Sequence, residues 1–355
     1  MIKPLTSLRF IFAFLVFMSH FIIFPQNEYP FLHHIFFEGY VGVSFFFILS
    51  GFILAYNYQE RFANKLIDKK TFYISRLARI YPLHIFTMLI WIWMKKDVPL
   101  DSTYATNFIL NILLLQSFYP IEGIKFNAVS WSLSDEMFFY LLFPFIIYWL
   151  IKSRRSFLPA FVLAITVLIA LVYIYRNNDL AEWIFYTNPV SRVMDFAMGI
   201  GLYNICKSGI LDKWRTKISP TLLEIAGICI LVGFYSSAIF IPQVYRHAMW
   251  YWIPVSVLIY IFYYQAGTIS KFLSRRILVL LGEISFSFYM FHTMVLWYVQ
   301  RAFTLSNTQI TPLLLFIISL GTTIIVSYLS YKYLEIPANR WIKRTFLKKE
   351  KTASN

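Results

Sequence analysis

Apolar residues run through this chain in long blocks, broken by short polar segments. Ten blocks have roughly the length of a membrane-spanning helix: residues 8–25, 38–58, 80–94, 133–151, 157–175, 190–206, 221–241, 249–265, 278–299 and 309–331. An eleventh apolar run, 105–119, is short. The pattern predicts an all-α polytopic membrane protein with about ten transmembrane helices and one short re-entrant or interfacial helix at 105–119. Residues 1–345 read as one integral membrane domain. Residues 346–355 read as a basic polar cytoplasmic tail, preceded by an interfacial helix after Tyr331 whose Lys and Arg suit anionic head groups.

Composition sharpens this. The chain is 59% hydrophobic, 14% charged and 20% aromatic, more apolar surface than a soluble core can hide. Cys206 and Cys229 sit inside apolar runs and read as small buried hydrophobes. They offer neither a disulfide scaffold nor a zinc cluster. No nucleotide-binding glycine loop, HExxH or CxxC occurs. The first apolar run carries Arg9 and His20 and no Ala-x-Ala site follows it, so it reads as a retained helix.

The net charge of +15 fits the positive-inside rule better than a nucleic-acid partner. If 105–119 does not span, 25 basic residues fall on one side and six on the other. That split favours ten spans with both termini cytoplasmic in a plasma membrane, and makes membrane lipids a partner.

Charge inside a bilayer is costly, so each such residue needs a reason. Arg9 and His20, eleven apart, share one helix face. Arg9 suits a snorkelling anchor or a contact near the cytoplasmic mouth. His20 suits a packed histidine, a general base or a transient carrier of the acyl group, kept neutral by desolvation deep in its span. Arg76 and Arg79 share a face at a cytoplasmic helix start, where topology alone places arginines and where a guanidinium pair also fits phosphate. Ser132 or Ser134 could cap the span that Trp131 opens, with Asp135 and Glu136 in its first turn. Two adjacent carboxylates entering Phe- and Leu-rich sequence exceed what a cap needs. Arg192 and Asp195 read as a buried pair, with Gly199 and Gly201 allowing close helix packing. Glu224 reads as interfacial or paired. Glu283 and His292 share a face of a late helix. His33 and His34 lie in an outer loop. With histidines this scattered, no metal is expected.

Several of these pieces, in this order and spacing, resemble the membrane acyltransferase 3 family. They are Arg9 through His20, the stretch from Gly39 to Phe52, Arg76-Leu77-Ala78-Arg79-Ile80-Tyr81-Pro82, Trp131-Ser132-Leu133-Ser134 with Glu136, and the run from Leu281 to His292. The likeness covers about residues 3–345. It implies a ten-span enzyme that moves an acyl group, usually acetyl from acetyl-CoA, onto a hydroxyl of a carbohydrate or lipid-linked saccharide such as O-antigen, capsule or exopolysaccharide. His20 matches the family's essential histidine and Arg9 its first arginine. Arg76 and Arg79 match the arginine pair associated with the acyl-CoA donor, and Glu136 the acidic residue after Ser-Leu-Ser. Asp135 departs from the usual small or apolar residue and becomes a second candidate for the catalytic carboxylate, which would orient the His20 imidazole or hold sugar hydroxyls. Trp131, Ser132, Ser134, Arg192, Asp195 and His292 are the candidates for binding the acceptor. The implied setting is the bacterial inner membrane, in a form without a fused SGNH domain. The rival reading is a saccharide or lipid-precursor transporter, which would also bury charge among ten spans. Internal repeats, which would favour it, are not evident.

Overall fold

The computed structural model describes residues 1–21, 24–95, 102–120 and 126–347, the side chain of Arg154 aside. Lys96 and Lys125 of the charge count, and the tail beyond Leu347, lie outside the described residues. The described chain is helical and holds no strand. In order, the helices are α1 (Lys3–Ser19), α2 (Pro30–Phe37), α3 (Val41–Ala63), α4 (Lys69–Met94), α5 (Tyr104–Ile112), α6 (Trp131–Lys152), α7 (Arg154–Tyr175) and α8 (Pro189–Ser208). There follow α9 (Asp212–Arg215), α10 (Pro220–Ser237), α11 (Gln243–Tyr245), α12 (Trp252–Tyr263), α13 (Thr268–Leu273), α14 (Arg276–Leu305), α15 (Pro312–Ser330) and α16 (Ile336–Leu347).

Each of the ten expected spans coincides with a helix. Seven helical stretches among the described residues are long and apolar enough to cross a membrane. The expected spans 8–25, 190–206 and 249–265 correspond to α1, α8 and α12, which are shorter or more polar. The 105–119 run forms α5, nine residues and therefore about 13 Å long, too short to cross.

Local chemistry fixes several ends. Asp68 caps α4 by accepting the Thr71 N–H at 3.0 Å. Asn188 caps α8 by accepting from Val190 at 2.9 Å, with Pro189 at the first helical position. Gly209, at φ 64°, ends α8 in the left-handed region that glycine enters without strain. The expected cap of α6 does not form. The helix already begins at Trp131, so Ser132 and Ser134 lie inside it; Ser132 donates to Val129 at 3.1 Å and Ser134 to Leu114 at 2.6 Å.

The chain divides into two compact units, Met1–Glu60 with Trp149–Ser285, and Arg61–Tyr148 with Phe286–Asn355. In the first unit, α3 and α8 meet through paired glycines. A Cβ on Gly51 would lie 2.0 Å from the Phe196 carbonyl oxygen, and one on Gly199 would lie 1.9 Å from that of Ile48. Backbones that approach this closely gain dispersion that side chains would block. Gly201 plays no such part, since nothing lies within 4 Å of its would-be Cβ. Phe12 of α1 stacks on Phe45 of α3 with centroids 3.8 Å apart. Cys206 is buried, but Cys229 is exposed, against the expectation that both are core hydrophobes.

Polar contacts gather at both ends of this unit. At one end Ser7 donates to Leu273 at 2.5 Å, Lys207 pairs with Glu60, and Tyr264 donates to Asp212 at 3.0 Å. There the buried Glu224 carboxylate accepts from Gly267 (3.0 Å), Ile269 (2.9 Å) and Ser270 (3.2 Å). Its partner is thus the N-terminus of α13, where backbone amides favour an anion. At the other end, buried Glu38 pairs with Arg246 and accepts from Tyr40 (2.9 Å) and Tyr251 (2.6 Å). His34 is buried there in α2, with Nε2 3.0 Å from the Tyr235 carbonyl.

In the second unit, α5 is built inside out. Asn107 and Asn111 are buried while Ile109 and Leu113 are exposed, the reverse of a soluble amphipathic helix and the arrangement a lipid surround selects. Its end is pinned by Tyr81, which donates to the Ile112 carbonyl at 3.1 Å, and by His84 at 2.8 Å from the Asn111 carbonyl. The turn that follows places buried Leu114 at φ 54°. This is a costly conformation for leucine. Ser134 holds that residue's carbonyl, and Ser117 donates to Ser134 at 2.7 Å.

Candidate active site

His20 lies at the end of α1, not deep within a span: the helix stops at Ser19 and His20 is its C-terminal cap. Its side chain keeps accessible surface at this helix end. Its Nδ1 stands 3.0 Å from the Val16 carbonyl oxygen. A carbonyl only accepts, so Nδ1 carries the proton and the basic lone pair sits on Nε2. One intrahelical contact thus fixes the tautomer. Arg9 lies on the same helix, half-buried.

Arg192 and Asp195 are fully buried and ion-paired at 3.0 Å. The guanidinium also donates to the His247 carbonyl at 2.6 Å and to Ser44 Oγ at 2.9 Å, and the Trp252 indole N–H donates to Asp195. The His247 ring stacks on Tyr186 with centroids 4.4 Å apart and meets Tyr40 edge-on. Burial first, and then the charges of Arg192 and Arg246, push His247 down to about 3. This cluster ties α3, α8, α12 and the 246–250 turn together.

The second unit brings the α6 candidates to α14 at Tyr289 and His292. Trp131, Ser132, Ser134 and Asp135 are buried and Glu136 is partly exposed. Tyr289 donates its hydroxyl to the Val129 carbonyl at 3.0 Å, and that hydroxyl lies within electrostatic reach of Asp135 and Glu136 and beside Ser132. His292 is buried with Nδ1 2.6 Å from the Tyr289 carbonyl. Asn127 donates to the Met290 carbonyl at 2.9 Å, adding a second tie between this loop and α14. Ser134 is committed to the Leu114 turn, which leaves Ser132, Asp135 and Glu136 as the polar groups facing Tyr289. Tyr289 itself escaped the sequence reading, because a tyrosine within an aromatic run carries no mark of its partners.

Arg76 and Arg79 are half-buried on α4. Arg79 is paired at 3.3 Å with Glu335, which also accepts from Ser287. Tyr140 lies under Arg76 at 5.9 Å and Phe286 under Arg79 at 5.6 Å, both cation–π contacts. Glu335 had no candidate role in the sequence, though an acidic residue ending the last apolar block was a usable signal. Among the described residues no three of His, Cys, Asp and Glu gather as metal ligands would.

The profile of an acyltransferase domain, Acyl_transf_3, matches residues 3–332. This chain belongs to the acyltransferase 3 family. It is 30% identical over 325 residues to acyltransferase MdmB of Streptomyces mycarofaciens, covering 84% of this chain and 80% of that one. It is 26% identical over 326 residues to O-acetyltransferase OatA of Staphylococcus aureus, covering 85% of this chain and 53% of that one. The chain thus spans about half the length of the staphylococcal relative. No solved structure matches it. The protein is a membrane acyltransferase, and the motifs quoted for the resemblance fall inside the matched range.

Proposed function

We propose that this acyltransferase moves an acetyl group from cytoplasmic acetyl-CoA to a hydroxyl of a cell-envelope or secreted carbohydrate at the outer side of the bacterial inner membrane. The observation that carries the chemistry is the tautomer of His20. With Nδ1–H held by Val16, Nε2 is poised to take a proton. In the proposed reaction the acceptor oxygen attacks the thioester carbonyl as its proton passes to Nε2. The tetrahedral intermediate then expels the CoA thiolate, and the proton returns from the imidazolium to sulfur. Carbon–oxygen and sulfur–hydrogen bonds form, carbon–sulfur and oxygen–hydrogen bonds break, and the histidine is restored.

The remaining roles are part of the same reading. Arg76 and Arg79 take donor phosphates, for which a guanidinium fork is suited. Arg9 serves the donor side. Asp135, Glu136 and Ser132 accept and donate to acceptor hydroxyls, with Trp131 as an apolar wall and Tyr289 and His292 holding this group in place. Both termini are cytoplasmic, on the 25-to-six charge division. The acetyl donor and hydroxyl acceptor are supported by the name of the staphylococcal relative.

Purified protein with radiolabelled acetyl-CoA and an oligosaccharide acceptor tests the proposal. Turnover should fall roughly 100-fold or more in His20→Ala, the range for losing a general base, with folding retained. His20→Gln keeps a hydrogen-bonding group but cannot cycle the proton. Near-normal turnover in that variant would make the histidine structural. Movement of unmodified saccharide without thioester consumption would favour a transporter instead.

A further inference from the structure

The last helix, α16, lies wholly beyond the 3–332 range of the family match, yet it packs along α4, the helix of Arg76 and Arg79. Two polar contacts set its register. Glu335, just before its start, holds Arg79 at 3.3 Å, and Asn339 donates to the Ala78 carbonyl at 2.9 Å. Residues four apart share a helix face, so the next residue on the face carrying Glu335 and Asn339 is Lys343. Arg340 and Arg344, on other faces, are exposed, whereas Lys343 is half-buried. Ala78 lies between Arg76 and Arg79 in sequence, and the Lys343 ammonium lies within electrostatic reach of both guanidinium groups. Glu335 answers Arg79, so at this partly buried place three cations meet one carboxylate, and a bound polyanion offsets the excess positive charge.

We infer that Lys343 is a third donor-site cation, closing with Arg76 and Arg79 a cradle for the phosphate end of the acyl-CoA. This rests on the donor reading above. The arginines supply planar forks and Lys343 a compact point charge on a mobile stem, a combination suited to a ligand with several phosphates. The last helix is then part of the donor site as well as an interfacial element.

The test uses the full chain in nanodiscs of phosphatidylcholine, with CoA as the probe. Lys343→Gln should weaken CoA binding about tenfold, the loss of one charge-assisted contact, without lowering the thermal midpoint of the ligand-free protein. Lys343→Arg should stay within about threefold of the parent, since charge is kept. Lys343→Met, which keeps an apolar stem, gives the same reading if the Gln variant folds poorly. Parent-like CoA affinity in both neutral variants overturns the role of Lys343 while leaving the donor reading intact. Absence of CoA binding by the parent overturns the donor reading itself. A parallel set in phosphatidylglycerol nanodiscs separates a lipid headgroup from the donor. If the neutral variants lose only stabilisation by the anionic lipid and keep CoA affinity, the cradle holds lipid and the inference is wrong.

Discussion

Replacing Asp195 with alanine asks whether the buried Arg192–Asp195 pair binds substrate or holds the first unit together. The structure points to the second. Both side chains are fully buried, the pair is 3.0 Å apart, and both partners have further commitments: Ser44 and the His247 carbonyl for Arg192, the Trp252 indole for Asp195. Alanine would leave a guanidinium inside the protein without its counter-charge, and an indole N–H without its acceptor. Breaking a buried pair from one side costs about 3–5 kcal/mol, which for a chain of this size lowers a thermal midpoint by roughly 4–7 °C. Ser44→Ala removes one hydrogen bond to a charged group, about 1.5–3 kcal/mol, and should fall between parent and Asp195→Ala. The double variant Arg192→Met with Asp195→Leu removes both charges and should recover most of the loss, because a well-packed apolar pair replaces a buried ion pair at little cost. Thermal unfolding in detergent, followed by tryptophan fluorescence and size-exclusion chromatography, reads all four. A midpoint for Asp195→Ala within about 1 °C of the parent, with turnover lost, would refute the scaffold argument and return the pair to the acceptor site. So would a double variant as unstable as the single one.

Two other outcomes follow from the same unit. His247 is held at about 3, below its ordinary 6.5, so its neutral form is favoured in the fold and its contribution is fully present above pH 6.5. That contribution is lost as pH falls toward 3, by about 2 kcal/mol at pH 5; the thermal midpoint should drop between pH 7 and pH 5, and His247→Gln should flatten the slope. Glu224→Ala should leave three amides of the α13 N-terminus without their acceptor and cost about 2–4 kcal/mol, whereas Glu224→Gln, which keeps one carbonyl acceptor, should cost about half as much; equal midpoints for the two variants would show that the amides find water instead.

What the sequence determined by itself is the one-dimensional part. Apolar block length predicts the helices, because a lipid core demands about 30 Å of continuous apolar surface and internally satisfied backbone. Loop charge sorts the connections into two groups. The shortness of 105–119 foretells a segment that does not cross, and the spacing of Arg76 and Arg79, or Arg192 and Asp195, follows from helical periodicity alone. The family likeness rests on such local strings. The tertiary structure decided what periodicity cannot express, namely which polar group answers which. His20 looked like a residue deep within a helix, but α1 ends one residue before it and Val16 sets its tautomer. Ser134 looked like a cap, but its hydroxyl pins the strained Leu114 turn twenty residues upstream. Glu224 finds backbone amides in place of a cation, and Glu335 and Lys343 reach α4 from some 260 residues away in sequence. In each case the deciding partner is a backbone group or a distant helix. A polar atom inside a membrane protein is satisfied by whatever packing brings within about 3 Å, and that choice is made only once the helices have met.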